Sequence, residues 1–504
     1  MFESIHKAST EIGAASSATP DAAEARIALA RGDGIGPEIT AAVVSVLDAA
    51  GARIGWQEVA MGESLYRAGH LSGIEDSTWD RLAGCAALLK APLTTPQGGG
   101  YKSLNVTLRK RLGLFANVRP CVSYAPVLPG PKQMDLVVIR ENEEDTYAGI
   151  EHRQTDEVMQ CLKLISRPGC ERISRYAYAY AMQNGRRRLT CVSKDNIMKL
   201  TDGLFHQVFR EMAAEYPELA TEHLIVDIGT ARLATRPERF DVILAPNLYG
   251  DILSDVAAEV AGSIGLAPSA NIGARFAMFE AVHGSAPDIA GRDIANPSGF
   301  LLSAVMMLVH LGQNRVAERV HNAWLRTLED GVHTADIAHA GSRERVGTRS
   351  FARAVIDRLG TEPKQLAVVH YPQRAPLDLA SIANPAPRPR ARKELVGVDL
   401  FLQWDADARQ PGQLAHALQA VQGELELKVI TNRGVKVWPK GLKDTFCTDH
   451  WRCRFQPREG QLSTSMQAVL ALMQRVDGAG LEIIKSEGLY NFDGVPGYAL
   501  AQGQ

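Results

Sequence analysis

Long apolar runs are missing from this 504-residue chain: no stretch reaches the roughly 18 uninterrupted apolar positions of a membrane-spanning helix. A surplus of one charge is missing too. Lys and Arg number 55 against 57 Asp and Glu, a formal net charge of −2, so there is no bulk electrostatic footprint for nucleic acid or an anionic membrane. Seven cysteines, an odd number scattered through a large chain, argue against a disulfide scaffold. Residues 1–26 hold no basic stretch followed by an apolar run. They read as a loose Ala/Ser-rich tail and not a secretory signal, and the expected location is cytoplasmic. Also absent is the dinucleotide fingerprint G-x-G-x-x-G. The first glycine-rich turn spells Arg31-Gly-Asp-Gly-Ile-Gly-Pro-Glu38, and taken alone it is strand-to-helix punctuation.

What is present fits an ordinary globular protein of two to four domains, 45% hydrophobic and 22% charged. A strand from Ile27, the turn, and helical spacing over Ile39–Ala50 form an α/β opening. Further strands are predicted at Ala86–Lys90, Leu136–Arg140, Leu189–Ser193, His223–Asp227 and Val242–Pro246. Ala148–Gln154 and Val158–Ser166, joined by Thr-Asp-Glu, read as a hairpin leaving the main body. Prolines and basic residues over Ser381–Lys393 mark a solvated linker, placed at 366–393. Beyond it, strand, helix, two strands, a short strand, helix and strand follow over 394–504, an order that resembles the ferredoxin-like α+β plan. Cys447, His450 and Cys453 lie close in sequence but match no zinc spacing.

Three constellations carry chemistry. Asp251 and Asp255 in Asn247-Leu-Tyr-Gly-Asp-Ile-Leu-Ser-Asp stand one turn apart on a helix expected to begin at Gly250 or Asp251. Paired carboxylates at a strand end suit Mg²⁺ or Mn²⁺; the plainer reading is a helix cap and a solvated acid. Ser103 is a natural N-cap, and Asn105 and Arg109 share the face of the helix after it, with Arg119 and Arg140 later in the chain. Arginine forks match carboxylates at two points, although a single Arg on a helix is usually a surface residue. Tyr147 and Lys194 are the remaining titratable candidates. Beside a cation and arginines, their pKa values would be expected to fall toward proton-transfer range.

Together these segments resemble the isocitrate and 3-isopropylmalate dehydrogenases, the β-decarboxylating family, from about Ile27 to Leu359. The motifs are GDGIGPE, KSLNVTLRKRLGLFANVRP, RENEEDTYAGIE, KDNIMK, NLYGDILSD, APSANIG and EAVHGSAPDIAGRDIANP. The tail, with VGVDLF, Thr431-Asn-Arg-Gly and DHWRCRF, is similar to the extension of a long bacterial branch. The resemblance implies an α/β large domain from 27–114 and 262–365 and a small domain over 115–261, with a clasp hairpin near 147–166 that joins two subunits. It implies that Arg109, Arg119 and Arg140 hold substrate carboxylates. Asp251 and Asp255 would bind the divalent ion, with Lys194 and Asp227 entering from the partner of a homodimer.

The Ser103/Asn105 pair points to isocitrate over 3-isopropylmalate or homoisocitrate. Lys90, Thr94, His283, Gly284, Asp288, Ile289 and Asn296 fall where the family binds its nicotinamide cofactor. NADP-using bacterial members show Lys-Tyr where this chain has Asp288-Ile289, and a carboxylate there repels a 2′-phosphate. These two residues therefore favour NAD, a departure from the long bacterial branch, which is mostly NADP-like here, with NADP as the alternative. The implied reaction is oxidative decarboxylation of isocitrate to 2-oxoglutarate and CO₂, with Lys194 and Tyr147 as base and acid. A non-catalytic regulatory subunit would lack part of this set.

Overall fold

In the computed structural model, residues 24–96, 103–127, 134–442 and 444–500 are described. Most of the expected tail, and Lys102, lie outside them. The chain divides into two compact units, Met1–Thr94 with Phe279–Arg374, and Thr95–Met278 with Ala375–Gln504. No helix among the described residues is long and apolar enough to cross a membrane.

In the first unit Ala25–Ala30 runs parallel to Ile54–Glu58 on one side and Ala87–Lys90 on the other. Ile27 to Ala30 are apolar at every position and buried, the pattern of a strand covered on both faces. This strand opens at Ala25, inside the segment read as tail. The Gly36–Ala49 helix begins with Pro37 in its first turn, where a missing N–H costs nothing, and buries Ile39, Val43, Val46 and Leu47. Ser298–His310 is buried almost throughout, beside the amphipathic Asn314–Glu329 helix.

The first part of the second unit is a mixed sheet. Ala116–Val122 pairs antiparallel with Pro268–Ile272 and with Asp135–Glu141. Parallel pairing then runs from Asp135–Glu141 through Val242–Ala245 and Arg188–Ser193 to Ala220–Ile225. Two expectations are corrected here. The Ala220–Ile225 strand ends before Asp227, which lies in the first turn of the Val226–Thr235 helix. The regular ladder of the hairpin is shorter than expected, Glu151–Arg153 with Met159–Cys161, with single backbone bonds at Gln154–Val158, Ile150–Leu162 and Asp145–Leu164, because Thr146–Ala148 is coiled into one 3-10 turn. The linker is exposed along most of its length and carries a short helix at Leu379–Ala383 and a few anchors. Val369 and Tyr371 hydrogen-bond to the Asn314–Glu329 helix in the first unit. In the second unit the Ala375 carbonyl accepts from Gln183, and Arg388 pairs with the buried Glu171 at 2.9 Å.

The last part of the second unit is a six-stranded sheet in the order Val435–Trp438, Leu425–Asn432, His450–Pro457, Lys393–Gln403, Glu482–Phe492, Val495–Pro496. Every pairing is antiparallel. Leu414 and Leu418 from one helix, Leu472 and Val476 from another, and Trp451, Cys453 and Phe455 from the sheet share its core. The last long strand continues to Phe492, past the expected end at Lys485, because it pairs along the whole of Lys393–Gln403. Cys453 is fully buried there, three places from His450 on the same strand and so on the opposite face.

Candidate active site

The buried strand Val242–Ala245 delivers the Asn247–Val260 helix, which starts at Asn247 and not at Gly250 or Asp251. Asp251 therefore sits past the first turn and is no cap. At Gly250 a Cβ would stand 2.7 Å from Arg140 Cβ, so only glycine lets this helix approach the Asp135–Glu141 strand so closely. Arg140, almost wholly buried, donates through Nε to both oxygens of Asn247 at 3.0 Å and through Nη1 to Asp251. Arg119 Nη1 donates to Ser254 Oγ at 2.6 Å and forms ion pairs with Asp251 at 3.2 Å and Asp255 at 3.5 Å. The Tyr147 hydroxyl donates to Asp251 Oδ2 at 2.6 Å, with the Arg140 guanidinium 4.9 Å from its ring centroid. Three predicted residues on separate elements thus converge on the carboxylate of a fourth.

Burial works against ionisation of Asp251, but Arg140 and Arg119 outweigh it and hold the carboxyl below its ordinary range. Asp255 goes the other way: burial raises it, Arg119 opposes, and Asp251 adds to the rise. The fall expected for Tyr147 belongs to a site holding a cation, and the chain's own groups pull the other way. Burial pushes the phenol up, more than Arg140 pulls it down, so the hydroxyl keeps its proton at neutral pH. Arg140 is pulled down from its ordinary value by burial and then by Arg119 and Arg109, and as a guanidinium it stays charged.

Ser103 stands at the N-cap position of the Leu104–Arg111 helix but makes no capping bond; Thr95 donates to its Oγ at 3.4 Å. Asn105 Oδ1 is buried with no hydrogen-bond partner, and Arg109 is buried one turn on. A buried acceptor without a partner is costly unless something else donates to it. Lys194 Nζ pairs with Asp227 Oδ1 at 2.6 Å. Asp227 forms no metal-type cluster with Asp251 and Asp255 within this chain; the one such grouping among the described residues is Asp195, His206 and His223. The two imidazoles of that trio are stacked at 3.7 Å and 14°, so their in-plane lone pairs cannot meet at one ion.

The predicted cofactor residues lie in the first unit. Ile35 N donates to the Ser285 carbonyl at 2.9 Å, and a Cβ on Gly34 (φ +56°) would fall 1.9 Å from that oxygen. The GDGIGPE turn is thus a close-packed support for the His283–Ile289 loop and more than punctuation. Asp33 accepts from Thr94 N at 2.8 Å, and the Thr94 and Ser285 hydroxyls are 2.9 Å apart. Gly284 and Asp288 are exposed and Ile289 is half-buried. His283 Nε2 is buried without a hydrogen-bond partner. Asn296 is buried, donating to Asp336 at 2.9 Å and capping Ser298 N. Lys90 is enclosed, its ammonium on Glu280 at 2.7 Å, so it lies beneath the surface of this loop and not on it.

Sequence reasoning missed the residues that hold the site in place. Asn247 fixes Arg140, and Asn117 fixes Arg119 at 2.6 Å. Asp145 and Asp202, both wholly buried, anchor the stretches that carry Tyr147 and Lys194. Asn117 and Asp145 each lie two places from a residue already singled out. Their roles rest on partners that only folding brings near, Ser269 and Asn271 for the first and Leu248 for the second.

The family model described as isocitrate/isopropylmalate dehydrogenase matches residues 26–355, and that of the bacterial isocitrate dehydrogenase C-terminal domain matches 393–504. A Rickettsia felis protein named isocitrate dehydrogenase [NADP] is 51% identical over 486 residues, 95% of this chain and 99% of that protein. A Thermus thermophilus protein of the same name is 43% identical over 480 residues, 94% of this chain and 95% of its own length. The crystal structure of the TT0538 protein from Thermus thermophilus superposes with a TM-score of 0.88 at 41% identity, covering 95% of this chain and 96% of that one. The chain belongs to the isocitrate/isopropylmalate dehydrogenase family and carries that family's bacterial C-terminal domain.

Proposed function

We propose that this chain oxidises and decarboxylates isocitrate to 2-oxoglutarate and CO₂ with a nicotinamide dinucleotide as hydride acceptor and a divalent cation. The observation that carries the reading is the convergence of Arg119, Arg140 and Tyr147 on Asp251. The donor set fits Mg²⁺ or Mn²⁺: Asp251 and Asp255 offer hard oxygens one turn apart, and here guanidinium groups supply the positive charge on them. On the cofactor side, the unpartnered His283 Nε2 beside an exposed loop suits a polar ligand. When bound, the dinucleotide accepts the hydride and the cation acts as Lewis acid on the substrate oxygen.

The chain's own residues do the rest. Arg109, Arg119 and Arg140 bind substrate carboxylates, and Ser103 and Asn105 take the one that 3-isopropylmalate lacks. Tyr147, kept protonated by burial, gives a proton to the carbon that loses CO₂. Lys194 removes the hydroxyl proton in the site of a second subunit, where Asp227 beside it joins the cation's carboxylates; that Asp227 forms no cluster with Asp251 and Asp255 among the described residues of one chain supports this sharing. We read the tail as a ferredoxin-like domain, supported by the order in which its four longest strands lie in the sheet, and the protein as cytoplasmic.

As oxidant, the names of the relatives favour NADP, the alternative to the reading drawn from the cofactor loop. A second reading, NAD, rests on Asp288, which is exposed in that loop. At ~5 Å and an effective dielectric near ~20, two unit charges repel by about 3 kcal/mol, and solvent exposure reduces that. The test is kcat/KM for isocitrate with each cofactor, with Mn²⁺ and with chelator, and with 3-isopropylmalate as control. Isocitrate-dependent reduction that needs metal is expected. No turnover with either cofactor, or preference for isopropylmalate, overturns the assignment; the ratio of the two constants decides the oxidant.

A further inference from the structure

We propose that Lys163 is a positioning residue that ties the loop presenting Tyr147 to the loop presenting Lys194, an inference that rests on the roles proposed above for those two side chains. Lys163 lies on the return arm of the hairpin. Its ammonium is 2.6 Å from Asp202 Oδ1 and 3.5 Å from Asp145 Oδ1, and 4.7 Å from the centroid of the Tyr249 ring. Both aspartates have no exposed surface, while Lys163 is 15% exposed. One cation thus joins two buried carboxylates that lie far apart in the chain.

Each carboxylate ends on backbone beside a proposed catalytic group. Asp202 Oδ2 accepts from the Lys194 amide at 2.7 Å. Asp145 Oδ1 accepts from the amide of Thr146, next to Tyr147, at 2.8 Å, and its Oδ2 accepts from the amide of Leu248 at 3.0 Å, in the helix that carries Asp251 and Asp255. Asp145 also has a φ of +67°, rare for a side-chain-bearing residue, and its own amide donates to the Leu164 carbonyl at 2.8 Å, next to Lys163. A strained, buried acid held on four sides fixes where Tyr147 begins. Buried carboxylates of this kind keep their geometry only while a cation and donors satisfy them.

The substrate arginines lie one step removed from this network: Asp145 reaches the helix that carries Asp251 through the Leu248 amide, and Lys163 lies over Tyr249 of the same helix. Arg119 and Arg140 bond to Asn117, Asn247, Ser254 and Asp251, none of which Lys163 touches. Loss of the ammonium should therefore disturb the two proton-handling loops directly and substrate binding much less.

The experiment compares wild type with Lys163→Met, Lys163→Arg and the charge-balanced Lys163→Met/Asp202→Asn, with thermal unfolding as the control for fold. A displacement near ~1 Å in both loops predicts a kcat about a hundredfold lower in Lys163→Met. KM for isocitrate should stay within about threefold, and Lys163→Arg should recover most of the loss. A folded Lys163→Met with wild-type kcat, a loss confined to KM, or an arginine variant as poor as the methionine one overturns the proposal. If Lys163→Met does not fold, the balanced double variant is read by the same criteria; if neither folds, Lys163 is purely structural and the proposal falls. Wild type inactive on isocitrate would instead refute the proposed function, so the two failures are distinct.

Discussion

At Gly250 the chain has no room for a side chain, and that lack of room sets the distance between Arg140 and Asp251. Gly250→Ala would drive a methyl group into the Arg140 stem, whose Cβ and Cγ are both 2.7 Å from the ideal Cβ position. Overpacking of this kind costs about 1–3 kcal/mol. Part of it should be relieved by moving the helix, and Asp251 with it. The expected result is a folded protein with a Tm lower by a few degrees and kcat/KM for isocitrate reduced about tenfold or more. A variant with unchanged kinetics would show that the helix yields without consequence. Asp251, Arg119, Arg140 and Tyr147 were legible in the sequence because each sits in a motif whose neighbours announce it. Asp145 and Asp202 were not, since their partners are brought together only by the fold: Asp145 meets Leu248 across 103 residues. The rise in the Tyr147 pKa was also out of reach, because burial is a property of packing and not of spacing.

At the scale of elements, the hairpin is held by the C-terminal domain. Thr155 in its turn donates to the buried Asp449 at 2.5 Å, and Glu157 takes both Nη atoms of Arg409 at 2.8 Å. The Arg409 hydrogen bonds hold the Glu157 carboxyl below its ordinary range, so this pair is intact above the usual carboxylate pKa and weakens as pH falls below it. Thr155→Val keeps the shape but removes one donor from Asp449, a loss of about 1–3 kcal/mol for a buried acceptor. The hairpin should then be cut faster by trypsin at Arg153 while the parent sheet stays intact. Equal cleavage rates would mean that Glu157 and Arg409 alone suffice. The buried parallel strands were readable because a covered strand is apolar at every position, as in Ile27–Ala30. The hairpin was read too long because alternating polarity in a projecting arm has no core to confirm it. The anchors of the linker were not readable because prolines and arginines report composition, whereas the buried Glu171 that Arg388 meets lies far back in the chain.

For the whole molecule, two measurements follow. If Lys194 serves the site of a second subunit, inactive Lys194→Ala and inactive Asp251→Asn proteins, unfolded and refolded together, should regain activity through mixed dimers with one intact site. Verified mixed dimers without activity would rule out sharing. Acid sensitivity is the second. His321, whose Nδ1 meets the Tyr371 hydroxyl at 2.7 Å, is pulled by burial to about 4. Unfolded, it takes up a proton near ~6.5. Its contribution is therefore complete above about 6.5 and is lost as pH falls toward 4, at about 1.4 kcal/mol per unit. His223, His283, His310, His333 and His450 are shifted in the same direction, burial first. Between about pH 6.5 and 5, His321→Gln should lose about 2 kcal/mol less stability than wild type; equal losses would place the acid sensitivity elsewhere.

The bond between Thr155 and Asp449 spans 294 positions. A nascent chain emerges from its N-terminus at about 5–20 residues per second, so the arm leaves the ribosome long before the residue that secures it. During that interval the hairpin lacks the partner that Asp449 gives it in the finished chain. Synthesis itself therefore secures the arm last, and a truncated product lacking Asp449 would keep it loose.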